Sequence, residues 1–346
     1  MTFEGNHCMI TAQDFKLDKA VRWCPGCGGH AVLAAVQRAL PACGTRLENV
    51  VFVSGIGCSS RFPYYINTYG FHGLHGRGAA IATGIKIANP ELSVWLVTGD
   101  GDSMAIGGNH FIHLLRRNLD INILLFNNKI YGLTKGQYSP TTPKGTITKS
   151  SPDGTIENPF LPGELAMGAQ GTFFARVVDN DMDMMVDVFT KAAQHKGTSL
   201  VEVLQNCVIF NDDIHIEIAD KNLREENQLY LQQGKPMLFG KGKKKGIIEA
   251  GGKFYVVRIG DNDVREEDIL IHDAYKHDDT RHYMLARMIL PDYPVAMGVI
   301  RCTDSTIYEE ALYNQIEHAK HKSIIKSVDD LLSGGNTFRI GEEGNQ

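Results

Sequence analysis

The sequence predicts an α/β protein, a doubly wound and mostly parallel sheet with a C-terminal extension that contains a β-hairpin. Three observations predict it. Five short apolar runs, partly β-branched and without strict alternation, read as strands covered on both faces. Segments with helical spacing of apolar residues lie between them, and farther along a Gly-Gly pair separates two more strand-like runs. At 346 residues and 43% hydrophobic, the chain can build one large core or two of ordinary size.

Taken in order, the strands are expected at 49–54, 92–98, 121–126, 173–178 and 200–204, and the helices at 30–40, 78–88, 103–118 and 182–195. The second helix ends ahead of Pro90, because the residue before a proline is pushed out of the helical region. Residues 137–163, rich in Thr, Ser, Pro and Gly, are too polar for a core and too long for a plain connector, so they read as a functional or partner-contacting loop. A boundary is placed near 211, dividing 1–210 from an extension over 211–346. The extension is expected to open with a charged helix over 217–233, followed by the lysine cluster Lys241, Lys243, Lys244 and Lys245, read as a solvated turn in preference to a docking patch. Residues 247–250 and 253–259 flank Gly251-Gly252, a two-residue hairpin turn that needs positive φ. The extension therefore adds to the core. Residues 341–346 are expected to be disordered.

Composition removes several classes of function. With 40 acidic against 35 basic side chains and a net charge of -5, the chain has no basic excess for a nucleic acid. No apolar run approaches the roughly 20 residues of a membrane helix. The first ten residues lack the basic and apolar regions of a secretory signal, which makes the cytoplasm the expected location. Seven cysteines in so long a chain favour metal binding or plain burial over a disulfide framework.

The first chemical motif is Gly99-Asp100-Gly101 at the end of the 92–98 strand, with 25 residues between Gly101 and Asn127-Asn128 after the next strand. Adjacent parallel strands would bring Asp100 and Asn128 to one edge of the sheet, where α/β proteins bind ligands. Both are hard oxygen donors suited to Mg2+, with the Ile130 carbonyl as a third. Gly99 and Gly101 would let the backbone approach a diphosphate, and the amides opening the helix from Asp102 would favour the negative charge. This spacing resembles the thiamine diphosphate and magnesium motif of thiamine-dependent enzymes, which makes Asp100, Asn128 and the Ile130 carbonyl the Mg2+ ligands.

The second is a set of cysteines. Cys24 and Cys27 form a C-x-x-C knuckle in WCPGCGGH, Cys58 stands in GIGCSSR just past the first strand, and Cys207 in QNC just past the last. Four thiolates at one sheet edge suit a 4Fe-4S cluster or a zinc ion, and a redox-active pair is a further reading of Cys24 and Cys27 alone. Cys8, Cys43 and Cys302 have no such context and read as buried or incidental. His30, opening a helix, reads as structural.

In order, WCPGCG, GIGCSSR, HGR, GDG with NN, and QNC resemble the β subunits of 2-oxoacid:ferredoxin oxidoreductases over residues 20–210. The segments IHDA at 271–274 and PVAMGV at 294–299 resemble the 2-oxoglutarate branch. That resemblance implies Cys24, Cys27, Cys58 and Cys207 as 4Fe-4S ligands beside thiamine diphosphate. It places Gly57, Cys58, Ser59, His75, Gly99, Asp100, Gly101, Asp102, Asn128, Ile130, Leu133 and Thr134 at the cofactor. His75 and Arg77 become the candidate catalytic residues; either Arg77 or Arg61 could pair with a substrate carboxylate. The implied reaction is coenzyme A-dependent oxidative decarboxylation of a 2-oxoacid with electrons passed to ferredoxin, reversible in principle. An α subunit would supply the pyrimidine-binding domain, giving a dimer of αβ pairs. Pyruvate and branched-chain 2-oxoacids are the alternative substrates, and a zinc-stabilised non-catalytic subunit is the alternative role.

Overall fold

A computed structural model of the chain describes residues 10–336 and 338. The expected disorder at 341–346 and the expectation for Cys8 fall outside the described residues.

The first half alternates strand and helix as expected. Helix α1 (Gly29–Ala42) leads to β1 (Val50–Ser54) and the short strand β2 (Tyr69–His72). Helix α2 (Gly78–Ala88), β3 (Ser93–Gly99), α3 (Gly108–Arg117) and β4 (Ile121–Asn127) follow. After a long irregular segment come α4 (Pro162–Gly168), β5 (Phe173–Val178), α5 (Met182–Gln194) and β6 (Ser199–Leu204). Strands β1, β4, β5 and β6 are buried throughout because helices cover both faces. Phe52, Trp95 and Phe126 pack toward α1 and α5, while their strand neighbours Val53, Leu96 and Leu125 pack with residues of α2 and α3 on the opposite face.

Two expectations fail here. The helix at 103–118 is interrupted: residues Asp102–Ile106 form a π turn, and Gly107 carries the chain into α3. A Cβ at Gly107 would stand 2.4 Å from the Asp102 carbonyl, so the wide turn requires glycine there. The helix at 217–233 does not exist as one element. It is replaced by two single turns, α6 (Ile216–Ala219) and α7 (Arg224–Asn227), and then strand β7 (Gln228–Tyr230). The pull of the main sheet decides this, because Leu229 is fully buried in β7 while the charged positions before it stay in solvent.

Strand β8 (Leu238–Phe239) joins β9 (Lys245–Ala250) and β10 (Lys253–Arg258) in a small antiparallel sheet. The hairpin turn is the expected one, with Gly251 at φ 57° and Gly252 at φ 73°. Helix α8 (Thr280–Ala286), strand β11 (Val295–Cys302) and α9 (Tyr308–Lys322) complete the principal elements. The main sheet has the order β2-β1-β3-β4-β6-β5-β11-β7. Its first six strands are parallel, and β11 runs antiparallel to β5. Residues beyond 211 therefore extend the sheet itself. Among the described residues no helix is long and apolar enough to cross a membrane.

Candidate active site at the carboxyl edge of the sheet

Strands β3 and β4 are parallel neighbours with Gly99 paired to Phe126, so Asp100 and Asn127 leave the sheet side by side. Asp100 is buried, and its Oδ2 accepts hydrogen bonds from Ser139 Oγ and Thr141 Oγ1, each at 2.5 Å. Burial pushes its carboxyl up against those two hydroxyls, which favour the charged form. Thr141 also lies 2.9 Å from Asn127 Oδ1, and Asn127 Nδ2 donates to Glu202 Oε1 at 2.7 Å. Burial would push Glu202 up, but Arg176, whose Nε donates to Oε2 at 2.7 Å, and Asn127 pull it below its ordinary range. The Ser-Thr-rich segment 137–163 is thus folded onto the GDG loop.

Asp102 has a different task from its neighbour. Its carboxylate accepts from the Gly76 amide at 2.6 Å and from Thr98 Oγ1 at 2.9 Å, and the Ile56 amide also favours its charged form. A Cβ at Gly55 would stand 2.3 Å from Asp102 Oδ2. One side chain thereby ties together the 55–58, 75–77 and 99–102 loops. His75 is exposed and its charge bears on Asp102; Arg77 is half-buried, with Nη1 donating to the Ile106 carbonyl at 3.3 Å. His72 ends β2 and meets the Ser60 carbonyl through Nδ1 at 2.9 Å. At Gly101 the obstacle to a side chain is the Tyr131 ring, 2.1 Å from where a Cβ would stand.

Cys24, Cys27, Cys58 and Cys207 line one cavity of about 280 Å³ together with Arg61, Asn128 and Leu133. Burial pushes the Cys27 thiol up to about 11, and the Cys58, Cys207 and Cys24 sulfurs push it in the same direction. Cys58 is raised by burial and partly relieved by Arg61, which is held by the Arg22 carbonyl at 2.9 Å. A Cβ at Gly132 would lie 3.3 Å from Cys207 Sγ, so the chain after Ile130 passes close to the sulfurs and a side chain there would require a shift of a few tenths of an ångström. Among the described residues no three His, Cys, Asp or Glu side chains group tightly enough to hold a single metal ion. Cys43 donates to the Ala39 carbonyl in α1 and Cys302 lies against His195, away from this cavity. His30 makes an edge contact with Trp23, in keeping with a structural part.

The structure brings Gly57, Cys58, Ser59, Gly99, Asp100, Asn128 and Ile130 to this edge; Thr134 is turned away, bonded to Gln137 Oε1 at 2.5 Å in an exposed turn. Sequence reasoning missed Ser139, Thr141, Asp179 and Gln205. Asp179, at the end of β5, accepts from the Asn206 amide at 2.7 Å, and a Cβ at Gly28 would collide with its Oδ2, so it joins the two cysteine loops. The Ser-Thr richness of 137–163 signalled the first two, and the QNC motif contained Gln205 without giving it a role.

Residues 51–203 match the family model described as the thiamine pyrophosphate enzyme C-terminal TPP binding domain. Over 331 residues the chain is 45% identical to 2-oxoglutarate oxidoreductase subunit KorB of Mycobacterium tuberculosis, covering 95% of this chain and 88% of that protein. The chain belongs to the β subunits of the 2-oxoacid:ferredoxin oxidoreductases. Another relative of this β subunit, 2-oxoglutarate synthase subunit KorB of Archaeoglobus fulgidus, is 41% identical over 243 residues, which cover 68% of this chain and 90% of that one. The solved 2-oxoglutarate:ferredoxin oxidoreductase of Magnetococcus marinus, with 2-oxoglutarate, coenzyme A and succinyl-CoA bound, superposes with a TM-score of 0.75 at 28% identity. The match covers 96% of this chain and 99% of that chain. The resemblance drawn from the motifs, the α/β class and the enzyme class all stand.

Proposed function

We propose that this β subunit serves a 2-oxoglutarate:ferredoxin oxidoreductase, holding thiamine diphosphate through Mg2+ at Asp100, Asn128 and the Ile130 carbonyl, and a 4Fe-4S cluster at Cys24, Cys27, Cys58 and Cys207. The observation that carries this reading is the convergence of four thiols on one cavity that Asn128 also lines, at the edge where β3 and β4 release Asp100. The donor sets fit. Oxygen donors suit Mg2+, and thiols that oppose one another's ionisation are stabilised together by a cationic metal centre. Four thiols accept either a tetrahedral zinc ion or a four-iron cluster, and membership of the ferredoxin-linked β subunits favours the electron-carrying cluster.

Thiamine diphosphate would supply the carbon nucleophile and electron sink for decarboxylation, and the cluster would carry electrons out one at a time. The chain's own residues prepare that chemistry. Ser139 and Thr141 orient Asp100, Asp102 holds three loops in register, and the Glu202–Arg176 pair anchors Asn127 from behind. His75 and Arg77 stand on the loop that Asp102 fixes, where they would meet the substrate. 2-Oxoglutarate is preferred over pyruvate or branched-chain acids because the KorB relatives and the Magnetococcus marinus enzyme carry its name. An α subunit completes the site, ferredoxin takes the electrons, coenzyme A takes the acyl group, and the reaction runs in either direction in a dimer of αβ pairs.

The test is an absorption spectrum of the anaerobically co-expressed complex, followed by dithionite and, separately, by 2-oxoglutarate with coenzyme A. A band near roughly 400 nm that bleaches with 2-oxoglutarate supports the whole reading. Bleaching with pyruvate alone would overturn the substrate, and a colourless complex containing zinc would overturn the cluster.

A further inference from the structure

Gln205 stands immediately after β6, 2% exposed, with its amide donating to the Asn127 carbonyl at 3.1 Å and so extending the strand ladder by one residue. Its side chain reaches in two directions. Nε2 donates to Cys27 Sγ at 3.1 Å, and Oε1 accepts from Asn128 Nδ2 at 3.1 Å. One carboxamide thus touches both a cysteine of the cavity and an asparagine of the cofactor edge.

The polarity of this chain is set from one end. Cys27 Sγ takes the NH2 arm of Gln205, the only donor that carboxamide has. The carbonyl arm is then left to face Asn128, which must offer its own NH2. Asn128 Oδ1 is turned the other way, where it accepts from the Ile130 amide at 3.2 Å. Reversing the Gln205 amide would set oxygen against sulfur at one end and N–H against N–H at the other. The direction in which Asn128 presents its oxygen is therefore tied, through Gln205, to Cys27 on a different loop.

We infer that Gln205 is a positioning residue that couples the cysteine cavity to the thiamine edge, donating N–H···S to Cys27 while holding Asn128 with its oxygen available to a metal. The inference rests on the function proposed above. A hydrogen bond to a cluster sulfur stabilises the added electron, so it raises the reduction potential, and a partner behind a metal ligand strengthens binding by fixing its orientation.

The test uses the anaerobic αβ complex as wild type, Gln205→Met and Gln205→Glu. Methionine removes both arms at similar volume; glutamate keeps an acceptor for Asn128. Two quantities are read: an optical or EPR redox titration of the cluster, and Mg2+-dependent thiamine diphosphate affinity after cofactor stripping. At the potential where the wild-type cluster is half reduced, Q205M is expected to show a reduced-to-oxidised ratio about tenfold lower, 59 mV for one electron. Its thiamine diphosphate affinity is expected to fall about tenfold, whereas Q205E stays within about twofold of wild type. Wild-type values of both quantities in Q205M would overturn the inference, as would a loss in Q205E equal to that in Q205M. If Q205M fails to assemble, Q205E against wild type still decides: retained affinity supports the acceptor arm, and about a tenfold loss overturns it. A wild-type complex without iron or without thiamine diphosphate would overturn the proposed function instead, which keeps the two failures apart.

Discussion

The two edges of the main sheet are both lined with buried polar groups, yet they are built to opposite ends. At the amino edge Asn118, in the left-handed region at φ 54°, accepts from Thr172 Oγ1 at 2.7 Å and the Thr198 amide at 3.0 Å, and donates to the Thr306 carbonyl at 3.1 Å. Thr172 in turn lies 2.8 Å from His195 Nε2, and burial pushes His195 down to about 4, which keeps it neutral. This cluster needs nothing from outside. At the carboxyl edge burial raises Asp100, Asp102, Cys27 and Cys58 together, gathering acidic groups whose ionisation is opposed. Ser60 Oγ, two residues after Cys58 in the chain, is one of two buried side-chain polar atoms without a hydrogen-bond partner among the described residues. Closed polar networks are structural; acidic groups whose ionisation burial opposes are the kind that a bound cation would stabilise.

The strongest way to break that contrast is Cys207→Ser in the αβ complex. Complete loss of the absorbance near roughly 400 nm is expected, with the complex still assembled on gel filtration. An unchanged spectrum would remove Cys207 from the cluster. Next, Asp100→Asn is expected to weaken Mg2+-dependent thiamine diphosphate binding by about 100-fold, read by calorimetry. Its thermal unfolding should be unaltered or raised, since a buried charge has been removed.

At the amino edge the opposite pattern is expected. Asn118→Ala should cost about 2 kcal/mol of stability, because Thr172 and Thr198 lose a buried acceptor, while thiamine diphosphate affinity is unchanged. A loss of cofactor affinity without a loss of stability would dissolve the distinction between the edges.

A further effect concerns acid. His195, His215 and His272 are each pushed down to about 4 by burial, so the unfolded chain binds protons that the folded chain refuses. Their stabilisation is complete above the ordinary histidine value of about 6.5 and is lost as pH falls toward 4. Replacing His195 with Gln should make the fall in denaturation midpoint between those pH values shallower by about one proton, or about 1.4 kcal/mol per pH unit. The same slope in both proteins would show that His195 titrates normally.

Much of this was legible along the chain. Apolar runs located the six-strand parallel core apart from the exposed edge strand β2, whose four residues carry no burial signal. The Gly251-Gly252 hairpin, the GDG and NN pair and the four cysteines could be read because each depends on residues close in sequence or on a strand end. The helix at 217–233 misled because charged spacing reports which side meets solvent, and the sheet's demand for Leu229 outweighed it.

What the sequence determined by itself is which residues stand at the carboxyl edge: strand burial sets where each strand ends, and motif residues directly follow those ends. What only the tertiary structure decided is how they are held. Ser139 and Thr141 reach Asp100, Asp102 reaches Gly76, and Gln205 reaches Cys27 across 39, 41, 26 and 178 positions of chain, respectively. Hydrogen bonds at such separations leave no periodicity, because a polar residue before a turn looks the same whether it faces water or a buried carboxylate. The choice among partners is made when the loops close together and water leaves, since only then does an unsatisfied donor or acceptor become costly.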